Sequence, residues 1–262
     1  MTRPAELRDI AARVALEAAE LVRERRSSPV LVAATKSTDV DVVTEADRAS
    51  EQLIRELLRA TRPTDAVLGE EEGDSRGSSG VRWIVDPIDG TVNFLYDIPE
   101  YAVSIAAEVD GTVLAGAVVN AATGTLWSAA AGEGAHRDGE PIRVAEPAPV
   151  GRRLIATGFG YDPDVRARQG AAVAALLPQI RDIRRMGSCA LDLCHVADGT
   201  LDGYVEEGTH LWDHAAGLVI AAEAGARSRK WPTPGGRTLL ACAPDAGFDE
   251  FVDALTRAGF TP

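Results

Sequence analysis

A twelve-residue segment, WIVDPIDGTVNF (residues 83–94), constrains this chain more than any other part of the sequence. Its first three residues are typical of a buried strand, and Asp86 and Asp89 follow directly. Pro87 fixes its own φ and favours an extended Asp86, whereas Gly90 allows a ligand to approach the backbone closely. If a helix begins after this glycine, its first N–H groups form an anion site beside the two carboxylates. The segment therefore predicts a strand that ends at residue 85, followed by an acidic, anion-binding turn.

Three other acidic positions accompany this segment. Asp47 follows Thr44 by three residues, a spacing typical of a helix capping box. Glu70–Glu72 follow a short apolar run and are compatible with a solvated turn, and Asp213 begins an apolar helical segment, where an N-cap is the simpler interpretation. Mg²⁺ prefers carboxylate oxygens, however, and metal ions beside a phosphate site assist phosphoryl transfer. We therefore interpret the acids as candidate metal ligands.

Several segments resemble the signature segments of inositol monophosphatase-type phosphatases. They are DPIDGTVNF, the sequence GEE at residues 69–71, WDHAAGLVIAAEAGA, and KSTDVDVVTEAD at residues 36–47, which has one extra residue in its first gap. The resemblance covers nearly the whole chain and is closest to bacterial inositol-1-monophosphatases. It implies a layered α/β (α+β) fold of alternating helix and sheet layers, an αβαβα sandwich similar to the sugar phosphatases. It also implies a homodimer that hydrolyses phosphate monoesters with Mg²⁺ and is inhibited by lithium.

The resemblance implies a ligand set for the metal. Glu70, Asp86 and the carbonyl oxygen of Ile88 would hold the first Mg²⁺. Asp86, Asp89 and Asp213 would hold the second, so that Asp86 bridges the two ions. Two Mg²⁺ ions per site are expected, or three, with the third and weakest near Glu70.

The resemblance also implies catalytic and substrate-binding roles. Thr91, hydrogen-bonded to Asp47, would orient the attacking water and help to deprotonate it, with Glu70 as the third catalytic residue and no covalent intermediate. Backbone N–H groups would hold the phosphate, and one acid would bind substrate hydroxyls. The substrate-binding residues implied in this way are Asp89, Gly90, Thr91, Gly187, Ser188, Cys189 and Glu206.

The substrate itself is less constrained. Glu206 favours a polyol such as myo-inositol 1-phosphate, because a carboxylate would repel a second phosphate. Histidinol phosphate, fructose 1,6-bisphosphate, nucleotide 3′-phosphates and NADP are alternatives within the same architecture. An alternative of another class is a partner of RNA polymerase in transcription antitermination. Arg184 and Arg185 are interpreted as surface charges at a strand edge, with contact to a charged group as the alternative.

Composition narrows the class of protein. The 262 residues include 27 Lys or Arg and 40 Asp or Glu, a formal net charge of −13 that disfavours direct binding to nucleic acid or anionic membranes. The chain has three cysteines, no stretch that could span a membrane and no signal-peptide pattern, so we expect a cytoplasmic protein. We expect one domain over residues 1–262, with a metal-binding lobe over about 1–147 and an α/β lobe over about 148–262.

The pattern of elements supports a mixed fold. Apolar residues at helical spacing predict a first helix that ends before Ser27, and turn dipeptides between residues 101 and 144 predict a β-meander. Residues 153–258 alternate strand and helix. Two further motifs do not indicate a site. The sequence GDSRG lies in a polar loop rather than at a nucleophile elbow. A zinc pair would need His210 and His214 in one helix, but His210 would lie outside the helix that contains His214.

Overall fold

The computed structural model describes residues 3–27, 32–35, 42–234 and 236–260. Within these residues the helices are α1 Pro4–Arg26, α2 Glu45–Thr61, α3 Thr91–Tyr96, α4 Pro163–Leu176, α5 Cys189–Ala197, α6 Leu211–Glu223 and α7 Phe248–Arg257. The strands are β1 Val32–Thr35, β2 Val42–Thr44, β3 Ala66–Gly69, β4 Gly73–Asp74, β5 Val81–Asp89, β6 Ala102–Val109, β7 Thr112–Asn120, β8 Leu126–Ala130, β9 Ala135–Arg137, β10 Glu140–Ile142, β11 Leu154–Thr157, β12 Asp182–Arg184, β13 Gly203–Glu207, β14 Ala226–Pro232 and β15 Thr238–Pro244. The beginning of the KSTDVDVVTEAD resemblance, residues 36–41, lies outside the described residues.

Helix α1 confirms the prediction from apolar spacing. Pro4 occupies its first turn, where a missing N–H costs nothing, and the helix ends at Arg26. Its buried face includes Leu7 and Val14, which belong to one hydrophobic cluster with Trp83 of strand β5. Helix α1 therefore covers one face of the sheet that contains the acidic segment.

Strand β5 is longer than the sequence predicts. The predicted end at residue 85 is wrong, because pairing with β6 continues from Asp86 opposite Ser104 to Asp89 opposite Ala102. Three steps along β5 thus match two steps along β6, which is a β-bulge with one extra residue. Pro87 accounts for the irregularity, since it has no N–H to donate to a regular ladder. The strand bends but does not stop at the acids.

The larger sheet has the order β10-β9-β8-β7-β6-β5-β3-β4. Strands β6 to β10 form the predicted antiparallel meander, whereas β3 runs parallel to β5. Asp110 and Asp138 have positive φ values of 50° in two of the predicted Asp-Gly turns. Because β3 and β5 are parallel neighbours, Glu70, which follows β3, and Asp89, the last residue of β5, lie at the same edge of the sheet.

The smaller sheet has the order β12-β11-β13-β15-β14. Strands β11, β13 and β15 match the sequence predictions, but β14 is an addition to them. Its residues Arg227, Arg229 and Lys230 interrupt any apolar alternation, as is typical of an edge strand that charge protects from further pairing. Each of its residues is nevertheless paired with β15.

Three hydrophobic clusters separate five layers. The first lies between α1 with α2 and the larger sheet, and the second lies between that sheet, helices α5 and α6, and the smaller sheet. The third includes Leu176 of α4 and Phe251 of α7, which cover the outer face of the smaller sheet. The expected alternation of helix and sheet layers is therefore confirmed. No helix in the described part of the chain is long and apolar enough to cross a membrane.

Candidate active site

A cavity of about 640 Å³ lies where the carboxyl ends of several strands meet the first turns of α3 and α6. It brings together most of the site residues that the sequence predicts. Those that line it are Glu70, Asp86, Ile88, Asp89, Gly90, Thr91, Gly187, Cys189, Glu206 and Asp213. Asp47 and Ser188 lie behind the wall, each with 1% exposure. The five-layer fold thus places residues from four parts of the chain around one space.

Thr91 and Asp47 form a hydrogen-bonded pair. The Thr91 hydroxyl lies 3.2 Å from Asp47 Oδ1 and 3.1 Å from the carbonyl oxygen of Ile88, so it can donate to either. The other oxygen of Asp47 accepts the backbone N–H of Thr44 at 2.8 Å, in a complete capping box. Asp47 therefore forms the expected helix cap and contacts Thr91 at the same time.

Asp47 is an unusual acid for a helix cap. Burial raises the pKa of Asp47 from 3.8 to about 6, although its hydrogen bonds with Thr44 lower it. A carboxylate with such a pKa is mostly ionised at neutral pH and still basic enough to accept a proton. The pair can therefore take up a proton from the cavity through the hydroxyl of Thr91.

Asp89 is fixed from the opposite side of the cavity. Its Oδ2 accepts hydrogen bonds from the hydroxyl of Ser188 at 2.7 Å and from the N–H of Ala190 at 2.6 Å. Burial raises the pKa of Asp89 to about 7, and these two hydrogen bonds oppose the rise. Ser188, which the resemblance assigns to the substrate pocket, contacts Asp89 from behind the wall and also caps α5.

The pKa values of Asp86 and Asp213 are raised by burial and by the acids around them. Burial, and then the charge of Glu70, raise the pKa of Asp86 well above its ordinary value. The charges of Asp89 and Asp213 act on Asp86 in the same direction. The pKa of Asp213 is likewise raised by burial and by Asp89, although Asp213 Oδ2 accepts the N–H of His210 at 2.6 Å. Without a cation, ionising these acids together is costly.

The donor set fits a hard divalent cation. Four carboxylate residues and Ile88 line one cavity, and each could offer an oxygen ligand, the carbonyl oxygen in the case of Ile88. A cation between the carboxylates would relieve their repulsion. Among the described residues, no three His, Cys, Asp or Glu side chains already surround one point in the manner of a metal site.

The far end of the cavity is built around Glu206. Its Oε2 accepts the hydroxyl of Tyr204 at 2.8 Å, and burial raises its pKa while Arg185 lowers it. A Cβ on Gly158 would lie 2.0 Å from Glu206 Oε2, so only glycine leaves room for this carboxylate. Arg185 is exposed, as expected of a surface charge, and it also lines the cavity, where its charge acts on Glu206. Arg184 is an exposed strand-edge charge paired with Asp182, as expected.

Sequence reasoning missed several residues that hold the site. Asn93 donates from Nδ2 to the carbonyl oxygens of Glu100 at 2.6 Å and Met186 at 2.7 Å, which fixes the segment before Gly187. Glu51 of α2 accepts N–H groups from the turn that follows Glu70. Two sequence features could have indicated these contacts: the asparagine within the acidic segment, and the Glu–Arg pair four residues apart on α2.

The rejected zinc pair remains unsupported. Helix α6 begins at Leu211, so His210 lies outside it and stacks on Trp212 with ring centroids 4.9 Å apart. His214 Nε2 lies 2.5 Å from the Lys230 ammonium nitrogen, a cation where a metal ligand would be needed.

Known proteins resemble this chain over nearly its full length. The model of the inositol monophosphatase family matches residues 3–252. A protein of Mycobacterium bovis named inositol-1-monophosphatase is 44% identical over 274 residues, which cover 97% of this chain and 94% of that protein. A protein of Haemophilus influenzae named Nus factor SuhB is 38% identical over 219 residues, which cover 83% of this chain and 82% of that protein.

A solved structure shows the same fold. Mycobacterium tuberculosis SuhB matches with a TM-score of 0.85 and 44% identity, over 99% of each chain. The sequence match, the layered architecture and the phosphatase names agree with the acidic cavity described above. This chain therefore belongs to the inositol monophosphatase family and is a phosphoric monoester hydrolase.

Proposed function

We propose that this protein hydrolyses myo-inositol 1-phosphate to myo-inositol and phosphate with Mg²⁺, without a covalent intermediate. The observation that most supports the proposal is the Asp47–Thr91 pair beside the buried carboxylates of one cavity. A hydroxyl that is hydrogen-bonded to a basic carboxylate can orient a water molecule beside a phosphate and accept its proton. The inositol-1-monophosphatase name of the M. bovis relative supports the choice of substrate.

The metal would be held by five groups of this chain. Glu70, Asp86 and the Ile88 carbonyl would bind one Mg²⁺, and Asp86, Asp89 and Asp213 the other, with a third ion weaker and near Glu70. When bound, Mg²⁺ supplies positive charge that stabilises phosphoryl oxygens and makes nearby water more acidic. Ser188 and Ala190 would hold the Asp89 carboxylate in place as it binds the ion.

The proton path uses the residues of the chain alone. Thr91 donates its own hydrogen to Asp47 and offers its oxygen lone pair to a water in the cavity. As the water attacks phosphorus, its proton passes to Thr91 Oγ1 and the Thr91 proton passes to Asp47. The bond from phosphorus to the inositol oxygen breaks, and the leaving oxygen takes up a proton from solvent water. Thr44 keeps the Asp47 carboxylate in place during this transfer, and the N–H groups at the start of α3 face the phosphate.

The alcohol part of the substrate would occupy the end of the cavity near Glu206. Glu206 accepts hydrogen bonds from hydroxyl groups, and the positive charge of Arg185 lowers the pKa of Glu206 and so favours its ionised form. A polyol fits this end better than a second phosphate. Histidinol phosphate is the main rival, because its ammonium group would also be attracted to Glu206; the bisphosphate and nucleotide substrates are weaker alternatives.

A panel of monoesters tests the proposal. Phosphate release from inositol 1-phosphate, histidinol phosphate, fructose 1,6-bisphosphate, a nucleoside 3′-phosphate and NADP would be measured with and without Mg²⁺ and Li⁺. We expect Mg²⁺-dependent turnover, inhibited by Li⁺, with inositol 1-phosphate preferred. Asp86→Asn should abolish turnover with the fold intact, and a folded Asp86→Asn variant with normal activity would contradict the metal assignment.

We also propose that the protein is a cytoplasmic homodimer. Cys189, Cys194 and Cys242 are all free and buried, which suits a reducing compartment. Sedimentation equilibrium would show a mass of about twice 27.6 kDa, and a monomer at micromolar concentration would contradict it.

A second candidate function is association with RNA polymerase, which the Nus factor name of the H. influenzae relative favours. Tagged wild-type protein and the Asp86→Asn variant would be used to capture polymerase from host lysate. Recovery by both would show a role apart from catalysis, and recovery by neither would exclude it.

A further inference from the structure

A buried carboxylate on α2 contacts the backbone of the turn that contains Glu70. Glu51 has 0% exposure, and its Oε2 accepts the N–H of Glu71 at 2.7 Å. Its Oε1 accepts the N–H of Glu72 at 3.0 Å. These two N–H groups belong to the turn between strands β3 and β4, which pair through Gly69 and Gly73. A side chain from another element therefore satisfies the inner backbone of the acidic turn.

Arg55 connects this carboxylate to the strands on each side of the turn. One turn of α2 after Glu51, its Nε lies 2.9 Å from Glu51 Oε1. Its Nη2 donates to the carbonyl oxygen of Gly73 at 2.6 Å, and its Nη1 to that of Val67 at 3.5 Å. The guanidinium thus compensates the buried charge and contacts both β3 and β4.

Gly69 shows how closely the carboxylate fits. A Cβ at this position would lie 2.2 Å from Glu51 Oε1 and 2.4 Å from its Cδ. Any other residue at position 69 would displace Glu51 from the turn. The close approach and the two accepted N–H groups indicate that Glu51 makes a specific, buried contact with the turn and is not a solvated surface charge.

We propose that Glu51, together with Arg55, is a positioning residue that fixes the turn of residues 70–72 and thereby sets the metal affinity of the site through Glu70. This proposal rests on the proposed function, in which Glu70 is a metal ligand. Both oxygens of the Glu51 carboxylate accept N–H groups. A glutamine amide has only one acceptor oxygen, and its NH₂ group would face either a backbone N–H of the turn or the Arg55 guanidinium, which are also donors. Replacing the charge therefore frees the turn without changing the size of the side chain.

The experiment compares Glu51→Gln with a matched control, Asp198→Asn. The control also removes a buried carboxylate bonded to an arginine, Arg137, but Asp198 does not line the cavity. Three properties would be measured for each: hydrogen exchange of the Glu71 and Glu72 amides without metal, Mn²⁺ affinity by electron paramagnetic resonance, and the Mg²⁺ dependence of phosphate release.

In Glu51→Gln we expect the Glu71 and Glu72 amides to lose protection from hydrogen exchange. Mn²⁺ affinity should fall by roughly 10–100-fold, as is typical when a residue that holds a metal ligand in place is replaced. The Mg²⁺ requirement should rise in parallel, while kcat at saturating Mg²⁺ changes by less than about threefold. Asp198→Asn should lose stability with none of these effects. If Glu51→Gln does not fold, Arg55→Lys provides the milder test, because it keeps a cation beside Glu51 but loses the bonds to Gly73 and Val67, and a smaller loss of Mn²⁺ affinity is expected.

The outcomes separate this proposal from the proposed function. Unchanged amide exchange and Mn²⁺ affinity in a folded Glu51→Gln variant would overturn the positioning role, even if the wild-type protein is an active phosphatase. If the wild-type protein binds Mn²⁺ but hydrolyses none of the monoesters, the proposed function fails, and the exchange and affinity measurements still decide the role of Glu51.

Discussion

Thr91 and Asp47 lie in the first turns of two different helices and meet through a 3.2 Å hydrogen bond across 44 residues of sequence. Each is also tied to its own local backbone, Thr91 to the Ile88 carbonyl and Asp47 to Thr44. The contact therefore joins the helix cap of α2 to the acidic segment at the end of β5. Because both side chains are also held by their local backbone, the contact is a preorganised part of the site.

Thr91→Ala should lower kcat by about 10²–10⁴-fold, because loss of the hydroxyl interrupts general-base assistance to the water. Steady-state phosphate release at saturating Mg²⁺ measures the effect. Thr91→Ser keeps the hydroxyl and should retain most of the activity. Equal losses in the two variants would indicate that packing of the methyl group, rather than the proton path, matters at this position.

Gly158→Ala should raise the KM for inositol 1-phosphate by about tenfold or more, because the added Cβ displaces the Glu206 carboxylate. Gly160→Ala is the matched control, since its Cβ would be at an ordinary contact distance of 3.6 Å from Val165 in the same cavity wall. KM would be compared at fixed Mg²⁺. An unchanged KM in Gly158→Ala would show that Glu206 does not contact the substrate.

Asn93→Ala should lower the free energy of unfolding by roughly 1–3 kcal/mol, because two partly buried carbonyl oxygens, of Glu100 and Met186, lose their donor. It should also raise KM, since Met186 precedes the Gly187 segment of the cavity. Asn120→Ala is the control: Asn120 is equally buried and bonds Pro99, Ala122 and Thr123 away from the cavity. Urea unfolding and KM are the measurements, and a normal KM in Asn93→Ala would leave this residue a purely structural role.

In EDTA, the protein should become less stable as pH rises from about 4 to 7. Six buried acids in the described ranges have raised pKa values, so the folded state binds more protons than the unfolded state between these pH values: Asp47, Asp86, Asp89, Asp192, Glu206 and Asp213. Asp47 alone, with its pKa raised to about 6, contributes on the order of 3 kcal/mol at low pH that is lost by pH 7. Burial lowers the pKa of His214 to about 4, so its contribution to stability increases as pH rises. This one group opposes the combined effect of the six acids.

Urea midpoints at pH 5 and pH 7.5 measure this slope. Asp47→Asn should reduce it, because one of the six groups no longer titrates. A midpoint that rises with pH in EDTA would contradict the proposed state of the acids, and recovery of stability on addition of Mg²⁺ at pH 7.5 is expected.

Much of the fold follows from local patterns. The apolar spacing of α1, the capping box of Thr44 and Asp47, and the Asp-Gly turns of the meander are each decided by a few neighbouring residues. Strand β14 could not be predicted in this way, because its charged residues suit an edge and its pairing depends on β15. The same applies to the end of β5, where pairing with β6 overrides the proline.

The candidate site likewise has parts that local sequence predicts and parts that it does not. The residue types at positions 86, 89 and 91 indicate their chemistry from the sequence alone. Contacts between distant segments do not: Ala190 with Asp89, Gly158 with Glu206, and Glu51 with the turn after Glu70 depend on how layers pack. Each is a backbone group or a glycine next to a carboxylate, and such partners have no side-chain signature in sequence.

The bulge at Pro87 explains the spacing of the two acids in the segment of residues 83–94. In a regular strand, residues three apart point to opposite faces of the sheet. The one extra residue between Asp86 and Asp89 reverses that parity, so both carboxylates point to the side where α6 presents Asp213. Straightening the strand while keeping all four residues of DPID would divide the acids between two faces; the bulge is therefore as necessary to the motif as the acids themselves.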